Sequence, residues 1–342
     1  MSEFTHGLLS LVVPCYNEEE SLPILADALG GVVTGMRERW PGLSVELVLV
    51  DDGSSDGTAA AMRLLASRRG LPYRVRYLLL SRNFGKEGAL LAGLSAARGE
   101  WVCTMDADMQ DPPSLLPQMY ADLLTGEWDS VATRRATREG EPPVRSAFAR
   151  LFYRLINRLS DAEVVDGARD FRAMSRPFVD AVLSMPERNR FTKGIYSWVG
   201  FRTKWVPYEN VERAAGQTKW SFWGLARYAL DGIVAFSTAP LALASVLGLV
   251  FCLLALVMVV VVVVRAALFG DPVSGWPSLM TVILLIGGAQ LLCLGVIGQY
   301  LARTYVEAKQ RPSYIVREEG EGPVAGPAAG AEGAGAKKDL DS

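Results

Sequence analysis

The stretch "LLSLVVPCYNEEESLPILADALGGVVTGMRERWPGLSVELVLVDDGSSDGT", Leu8 to Thr58, decides the architecture. Two short runs rich in branched aliphatic residues, "LLSLVVP" and "VELVLVDD", flank a longer helix-like run, and each ends in a polar cluster. Continuous apolar runs of this length, bounded by turn residues, read as strands buried on both faces. The alternation continues through "DGTAAAMRLLASRR", "RVRYLLL", "GKEGALLAGLSAAR", "EWVCTMDAD" and "PSLLPQMYADLL". An α/β fold with a mostly parallel, helix-covered sheet is expected as far as Arg135.

Ligands of such sheets sit beyond the carboxyl ends of the strands. Three polar clusters fall there: "PCYNEE", "DDGSSDGT" and "DADMQD". Acidic groups at a strand end need a partner, because an unpaired carboxylate is costly to desolvate. Asp106 and Asp108 flank Ala107, and in an extended turn both face one side. That suits Mg²⁺ or Mn²⁺, which take oxygen ligands and complete their shells with substrate phosphates. Asp111, before Pro112 and Pro113, reads as a helix cap. Tyr16 offers a ring face for a base and Glu18 an acceptor for ribose or base, or else Asn17 and Glu18 only start a helix. Asp51 and Asp52 can accept from a base or from sugar hydroxyls, while Ser54 or Ser55 caps the helix that follows. Together the clusters describe a site for a polyhydroxylated, phosphate-bearing ligand held through a metal. Neither G-x-G-x-x-G nor a P-loop follows the first strand, which disfavours NAD and ATP.

The 342 residues, half of them hydrophobic, exceed what one globular core of this kind needs. The excess lies in two uncharged runs, Pro240 to Val264 and Leu279 to Leu301, each long enough to cross a bilayer. Lys219 and Arg227 precede the first run, and Lys309, Arg311 and Arg317 follow the second. The positive-inside rule then places both ends of a transmembrane hairpin in the cytoplasm. "MSEFTHG" lacks a charged leader and an apolar core, so no signal peptide is expected. Trp220 to Phe236 reads as a helix lying in the membrane interface. The net charge of −2 and the lack of a basic face with interleaved aromatics argue against nucleic acid. Cys15, Cys103, Cys252 and Cys293 are scattered in apolar settings and read as small core residues in a reducing compartment. From Glu318 onward, Gly, Ala, Pro and charge without periodicity read as a disordered tail.

The motifs "VVPCYNEEESL", "LVDDGSSDGT", "SRNFGKEGALLAGL", "MDADMQDPP", "DFRAMSRP", "RFTKGIYSWVGF" and "ERAAGQTKWSFWGL", followed by the hairpin, resemble one family. It is that of the inverting family 2 glycosyltransferases of the GT-A (Rossmann-like) fold, within them the polyprenyl-phosphate glycosyltransferases related to dolichyl-phosphate mannose synthase. The resemblance implies that Pro14, Tyr16, Glu18 and Asp51 or Asp52 line the donor nucleotide pocket, and that Asp106, Asp108 and Gln110 surround the metal and diphosphate. It further implies that Asp170 lies near sugar and acceptor, and that Arg213 and Lys219 belong to a segment closing the site. Relatives often carry arginine four residues before Arg213, where this chain has Glu209, so that segment's part in phosphate binding is less defined. Arg134 and Arg135 end the fifth strand, where guanidinium donors can clamp the acceptor phosphate, with Arg138 and Arg145 following.

The expected organisation is a cytosolic transferase domain over 1–218, an interfacial helix over 219–236, a transmembrane hairpin over 237–305 and a largely disordered tail over 306–342. The expected reaction moves a sugar from a nucleotide diphosphate, first of all UDP-glucose, to polyprenyl (undecaprenyl) phosphate at the inner face of the cell membrane. GDP-mannose, UDP-N-acetylglucosamine and a modified arabinose donor stay open. Asp108 and Asp170 are the expected catalytic residues, Asp170 as orienting group or base. The expected partners are the donor, the lipid phosphate and the bilayer, with homo-oligomers allowed. Two rivals remain. A processive polysaccharide synthase would carry a Q-x-x-R-W motif, where this chain has "IYSWVGF", and more spans. A lipid-phosphate carrier or flippase would need polar residues within its spans; only Gln290 and Gln299 qualify, while Gly287, Gly288, Gly295 and Gly298 read as helix-packing positions.

Overall fold

The computed structural model describes residues 7–135, 165, 167–185, 187–188, 190–208, 239–269 and 275–323. The interfacial helix expected over 219–236, and Arg138, Arg145, Arg213 and Lys219, lie outside the described residues. Contacts divide the chain into two units, the first spanning the N-terminal region and the segment from Pro312 onward, the second holding the two apolar helices.

In the first unit β1 (Leu8–Cys15), α1 (Ser21–Arg39), β2 (Ser44–Asp51), α2 (Thr58–Ser67), β3 (Arg74–Leu80), α3 (Lys86–Ala96) and β4 (Trp101–Thr104) alternate as expected. A 3₁₀ turn at Pro113–Leu115 leads into α4 (Leu116–Leu124) and β5 (Ser130–Arg135). Then come β6 (Ala168–Ser175), α5 (Arg176–Leu183), α6 (Thr192–Trp198) and β7 (Thr203–Tyr208). The sheet order is β7-β5-β6-β4-β1-β2-β3-β8. Strands β4, β1, β2 and β3 are parallel neighbours, while β6 runs antiparallel to both β4 and β5. Strand β7 pairs parallel with β5. The carboxyl ends of β1, β2, β4, β5 and β7 therefore share one edge with the amino end of β6.

Burial explains the runs: the inner strands β1 and β2 are almost wholly buried, from Leu9 to Val13 and from Val45 to Asp51. Helix α1 turns Leu22, Leu25, Leu29, Val33 and Met36 inward at helical spacing. Helix α3 lies close on the sheet because Gly93 faces Val12 and Val50, and a Cβ there would overlap the Val12 side chain. Gly53, at φ +68°, lets the turn after β2 pass against the backbone of Arg82 and Asn83.

One strand lies where the sequence reads as tail. Residues Val316–Glu321 form β8, antiparallel to β3 on the outer edge of the sheet. Arg63 grips Glu318 through two nitrogens at 2.8 and 2.7 Å, and Arg74 pairs with Glu321. The acidic run that looks solvated by composition is thus matched to cations on α2 and β3. It covers an edge that would otherwise present unpaired backbone groups.

Among the described residues the second unit holds α7 (Ala239–Phe269) and α8 (Trp276–Ala308), about 46 and 50 Å long at 1.5 Å per residue. Both are long and apolar enough to cross a membrane, and their most apolar windows, Leu241–Met258 and Leu285–Ala308, bury nothing inside the protein. The two helices face each other through small residues, among them Ala244 and Cys293, whose thiol points at the Ala244 carbonyl at 3.6 Å. A Cβ on Gly287, Gly288, Gly295 or Gly298, read from the sequence as helix-packing positions, would meet nothing within 4 Å among the described residues. Cys252 is exposed and Cys293 half-buried on these helices, so only Cys15 and Cys103 are core residues.

Candidate active site

The loops after β1 and β2 are zipped together at the carboxyl edge. Asn17, at φ 56°, donates its backbone N–H to Ser54 Oγ at 2.9 Å and accepts from Ser55 N at 2.9 Å. Glu18 donates its N–H to Thr58 Oγ1 and accepts from the Ser21 hydroxyl at 2.7 Å, at the start of α1. Ser54 and Ser55 do not cap α2. Asp56 accepts from Thr58 N at 3.0 Å instead, because the serines are spent on the Asn17 loop. Tyr16 is 40% exposed at this edge. Pro14 lies beside Val50 in the β1–β2 register.

The two aspartates after β2 have different duties. Asp52 accepts from Phe84 N at 2.7 Å and Gly85 N at 2.9 Å, one with each oxygen, and so holds the loop that leads into α3. Burial raises its carboxyl pKa, against those two N–H groups that lower it. Asp51 uses one oxygen on Ser54 N at 3.1 Å and makes no other hydrogen bond among the described residues. Of the pair, only Asp51 has an oxygen without a hydrogen-bond partner among the described residues, and the residue is 1% exposed.

After β4 the chain turns through Asp106 to Asp111. Met109 sits at φ 59°, a strained position for a residue with a side chain. Asp108 Oδ1 accepts from Gln110 N at 3.2 Å. Asp106 meets Lys86 at 2.6 Å, and the same ammonium contacts Asp170 of β6. Lys193 of α6 stands 3.7 Å from the other Asp170 oxygen. Burial alone would raise Asp170, but Lys193 and Lys86 outweigh it and hold the carboxyl well below the usual carboxylate range. Desolvation likewise opposes the Lys86 charge, and Asp106 and Asp170 overcome it, raising its pKa above that of a free lysine.

Asp111 is not a helix cap, since no side-chain bond caps the Pro113 turn. It is completely buried, accepting from Arg169 Nε at 2.9 Å and Tyr208 Oη at 2.5 Å. Arg169 reaches on to Gln110 Oε1 at 3.2 Å. One buried carboxylate thereby ties the turn to β6 and β7, and Gln110 is directed at Arg169. Burial raises Asp111, and Arg169 only partly offsets this. Asp111, Arg169, Lys86, Lys193 and Tyr208 were not legible as a group, because their partners come from distant parts of the chain.

A metal held here would meet oxygen ligands. Asp106 is 22% exposed at the edge, and Asp108 is two residues on. Among the described residues no group of three His, Cys, Asp or Glu side chains comes together to hold an ion. The pair fits an ion that takes one or two carboxylates and completes its shell from phosphates and water. Arg134 is exposed at the carboxyl end of β5 and so lies on the same edge. Arg135 ends that strand.

An α/β sheet with three acidic loops and a lysine-bridged carboxylate pair on its ligand edge has the make-up of a nucleotide-sugar transferase of GT-A type. The glycosyl transferase family 2 profile matches residues 10–183, and the chain belongs to that family. It is a glycosyltransferase. It is 40% identical over 310 residues to the uncharacterized glycosyltransferase sll0501 of Synechocystis sp., covering 91% of this chain and 95% of that protein. It is 40% identical over 309 residues to the prophage bactoprenol glucosyl transferase homolog of Escherichia coli, covering 90% of this chain and 98% of that protein. The bactoprenol glucosyl transferase of Shigella phage SfV is 40% identical over 311 residues, covering 91% and 98%.

Proposed function

We propose that this chain transfers glucose from UDP-glucose to the phosphate of a membrane polyprenol, with inversion at the anomeric carbon. The observation that carries the reading is the extent of the likeness to bactoprenol glucosyl transferases. The match runs over 309 of the 342 residues, whereas the first unit's family match ends at residue 183, so the likeness extends well beyond the family-model region.

Tyr16 and Asp51 receive the nucleotide, the first by stacking and the second by accepting hydrogen bonds. Asp106 and Asp108 hold Mg²⁺ or Mn²⁺, with Gln110 kept in place by Arg169. When bound, the ion supplies charge neutralisation for the departing diphosphate. Arg134 and Arg135, at the end of β5, bind the acceptor phosphate together with Arg138 and Arg145, and Arg213 and Lys219 close over the donor. A phosphate monoester, with a second pKa of about 6, is largely dianionic at neutral pH and attacks without losing a proton. Asp170 is therefore not needed as a base, and with two ammonium partners it is a weak one. It orients Lys86 and Lys193 towards the phosphates.

Two helices long and apolar enough to cross a membrane support an acceptor that is itself held in lipid. Strand β8 follows α8 and pairs with β3, which precedes α7, so the chain before and after the hairpin belongs to one sheet. This pairing supports a reading in which both ends of a membrane hairpin face the same side, and the flanking lysines and arginines favour the cytoplasmic one.

The test is a panel of nucleotide sugars offered to the purified full chain with undecaprenyl phosphate. UDP-glucose should label the organic-extractable lipid above every other donor, and EDTA or Asp108→Asn should abolish the transfer. Transfer from another donor in preference would overturn the sugar, and chain extension beyond one residue would restore the polysaccharide-synthase reading.

A further inference from the structure

Lys86 is the first residue of α3, where the partial positive charge of the helix start disfavours a cation. Its ammonium nevertheless sits between two carboxylates, Asp106 Oδ1 at 2.6 Å and Asp170 Oδ2. Asp106 has no other ion pair among the described residues, whereas Asp170 has a second cation in Lys193. The arrangement is braced from behind. Glu87, next to Lys86, accepts from both the backbone N–H of Thr192, at 3.2 Å, and its hydroxyl. That bond fixes the start of α6 against α3. Lys193, one residue on, also donates to the Ala168 carbonyl at 2.9 Å. The two lysines thus meet different oxygens of Asp170, Lys86 at Oδ2 and Lys193 at Oδ1.

We propose that Lys86 is the resident counter-cation of the donor site: it neutralises Asp106 in the ligand-free enzyme and surrenders it when a divalent ion arrives with the donor diphosphate. The inference rests on the transferase reading given above. An ammonium and a divalent ion repel each other strongly when both contact one carboxylate. The negative diphosphate removes that conflict, since Lys86 can move onto it while Lys193 stays with Asp170. An ion alone therefore binds weakly, and ion and nucleotide bind better together than either does alone. Because coupling between two ligands is reciprocal, each tightens the other by the same factor. The enzyme is thereby protected from loading a metal without a donor. The Lys86 side chain is 45% exposed, so solvent screens the repulsion and the effect is of the order of tenfold rather than thousands.

The experiment titrates Mn²⁺ into the full chain in detergent, following free Mn²⁺ by electron paramagnetic resonance, without and with UDP. Wild type should bind Mn²⁺ weakly alone and much more tightly with UDP. Lys86→Met should bind Mn²⁺ alone about tenfold more tightly, and the enhancement by UDP should shrink by a similar factor. Lys193→Met, which removes a partner of Asp170 but not of Asp106, should show a smaller gain. Circular dichroism verifies folding, and Lys86→Gln, expected to repeat the gain, decides the matter if the Met variant does not fold. Unchanged or weaker Mn²⁺ affinity in a folded Lys86 variant overturns the proposal. Failure of wild type to bind Mn²⁺ or Mg²⁺ either alone or with UDP, repeated with GDP, instead overturns the metal-held donor site of the proposed function on which the inference rests.

Discussion

Replacing Asp111 by Ala removes the carboxylate that anchors the acidic turn from beneath. The side chain is completely buried, and it holds Arg169 at 2.9 Å and Tyr208 at 2.5 Å. Truncation takes the carboxylate from a guanidinium whose side chain is only 16% exposed and removes the hydrogen bond that the buried Tyr208 phenol donates to it. Breaking a buried pair by removing one partner costs about 3–5 kcal/mol. Arg169 keeps its bond to Gln110, which places the expected loss near the lower end, about 3 kcal/mol. Asp111→Asn preserves two acceptor contacts but not the charge, and should cost about 1–2 kcal/mol. Urea unfolding of the full chain in detergent, followed by tryptophan fluorescence, measures both. With a slope of about 3 kcal/mol per molar, the Ala variant should unfold about 1 M earlier. Arg169→Met in the Asp111→Ala background should recover part of the loss, since it removes the stranded charge. A midpoint shift below about 0.3 M for Asp111→Ala, or strict additivity with Arg169→Met, would refute the idea of a coupled buried anchor.

Other consequences are as direct. Arg134→Ala should raise the apparent requirement for undecaprenyl phosphate far more than that for UDP-glucose, and equal effects on both would assign Arg134 to the donor or the fold. Stopping the chain after Gln310 removes β8 and bares the edge of β3, so the thermal midpoint should fall and aggregation rise; an unchanged melt would show the strand to be dispensable. For Asp170 the folded pKa lies below the unfolded value of about 3.9, so its stabilising effect is complete above that value and is lost as pH falls through the folded pKa. The gap in urea midpoint between wild type and Asp170→Asn should accordingly be full at neutral pH and shrink below about pH 4; a constant gap would mean that Lys86 and Lys193 do not act on an ionised Asp170.

The sequence by itself determined the alternating strands and helices, because a strand buried on both faces must be apolar along its whole length, and β1 and β2 are. It also determined the two long apolar helices α7 and α8, since uncharged runs of that length are long enough to cross a membrane and their most apolar windows bury nothing inside the protein. The polar clusters were legible for the same reason: Asp51, Asp106 and Asp108 stand immediately behind apolar runs, where charge has to be explained. What each carboxylate does was decided only by tertiary structure. Asp52 looked like a twin of Asp51, yet the loop before α3 folds back onto it and uses both its oxygens. Asp111 had the local pattern of a cap, but Arg169 and Tyr208, far along the chain, converge on it and bury it. The run Val316–Glu321 has too little apolar character to announce a strand. It becomes one because β3 offers an unpaired edge, and Arg63 and Arg74 offer the charges that its glutamates need. Local composition records how much surface a segment must bury, whereas the partner of a polar group is fixed by long-range contacts that no window of sequence contains.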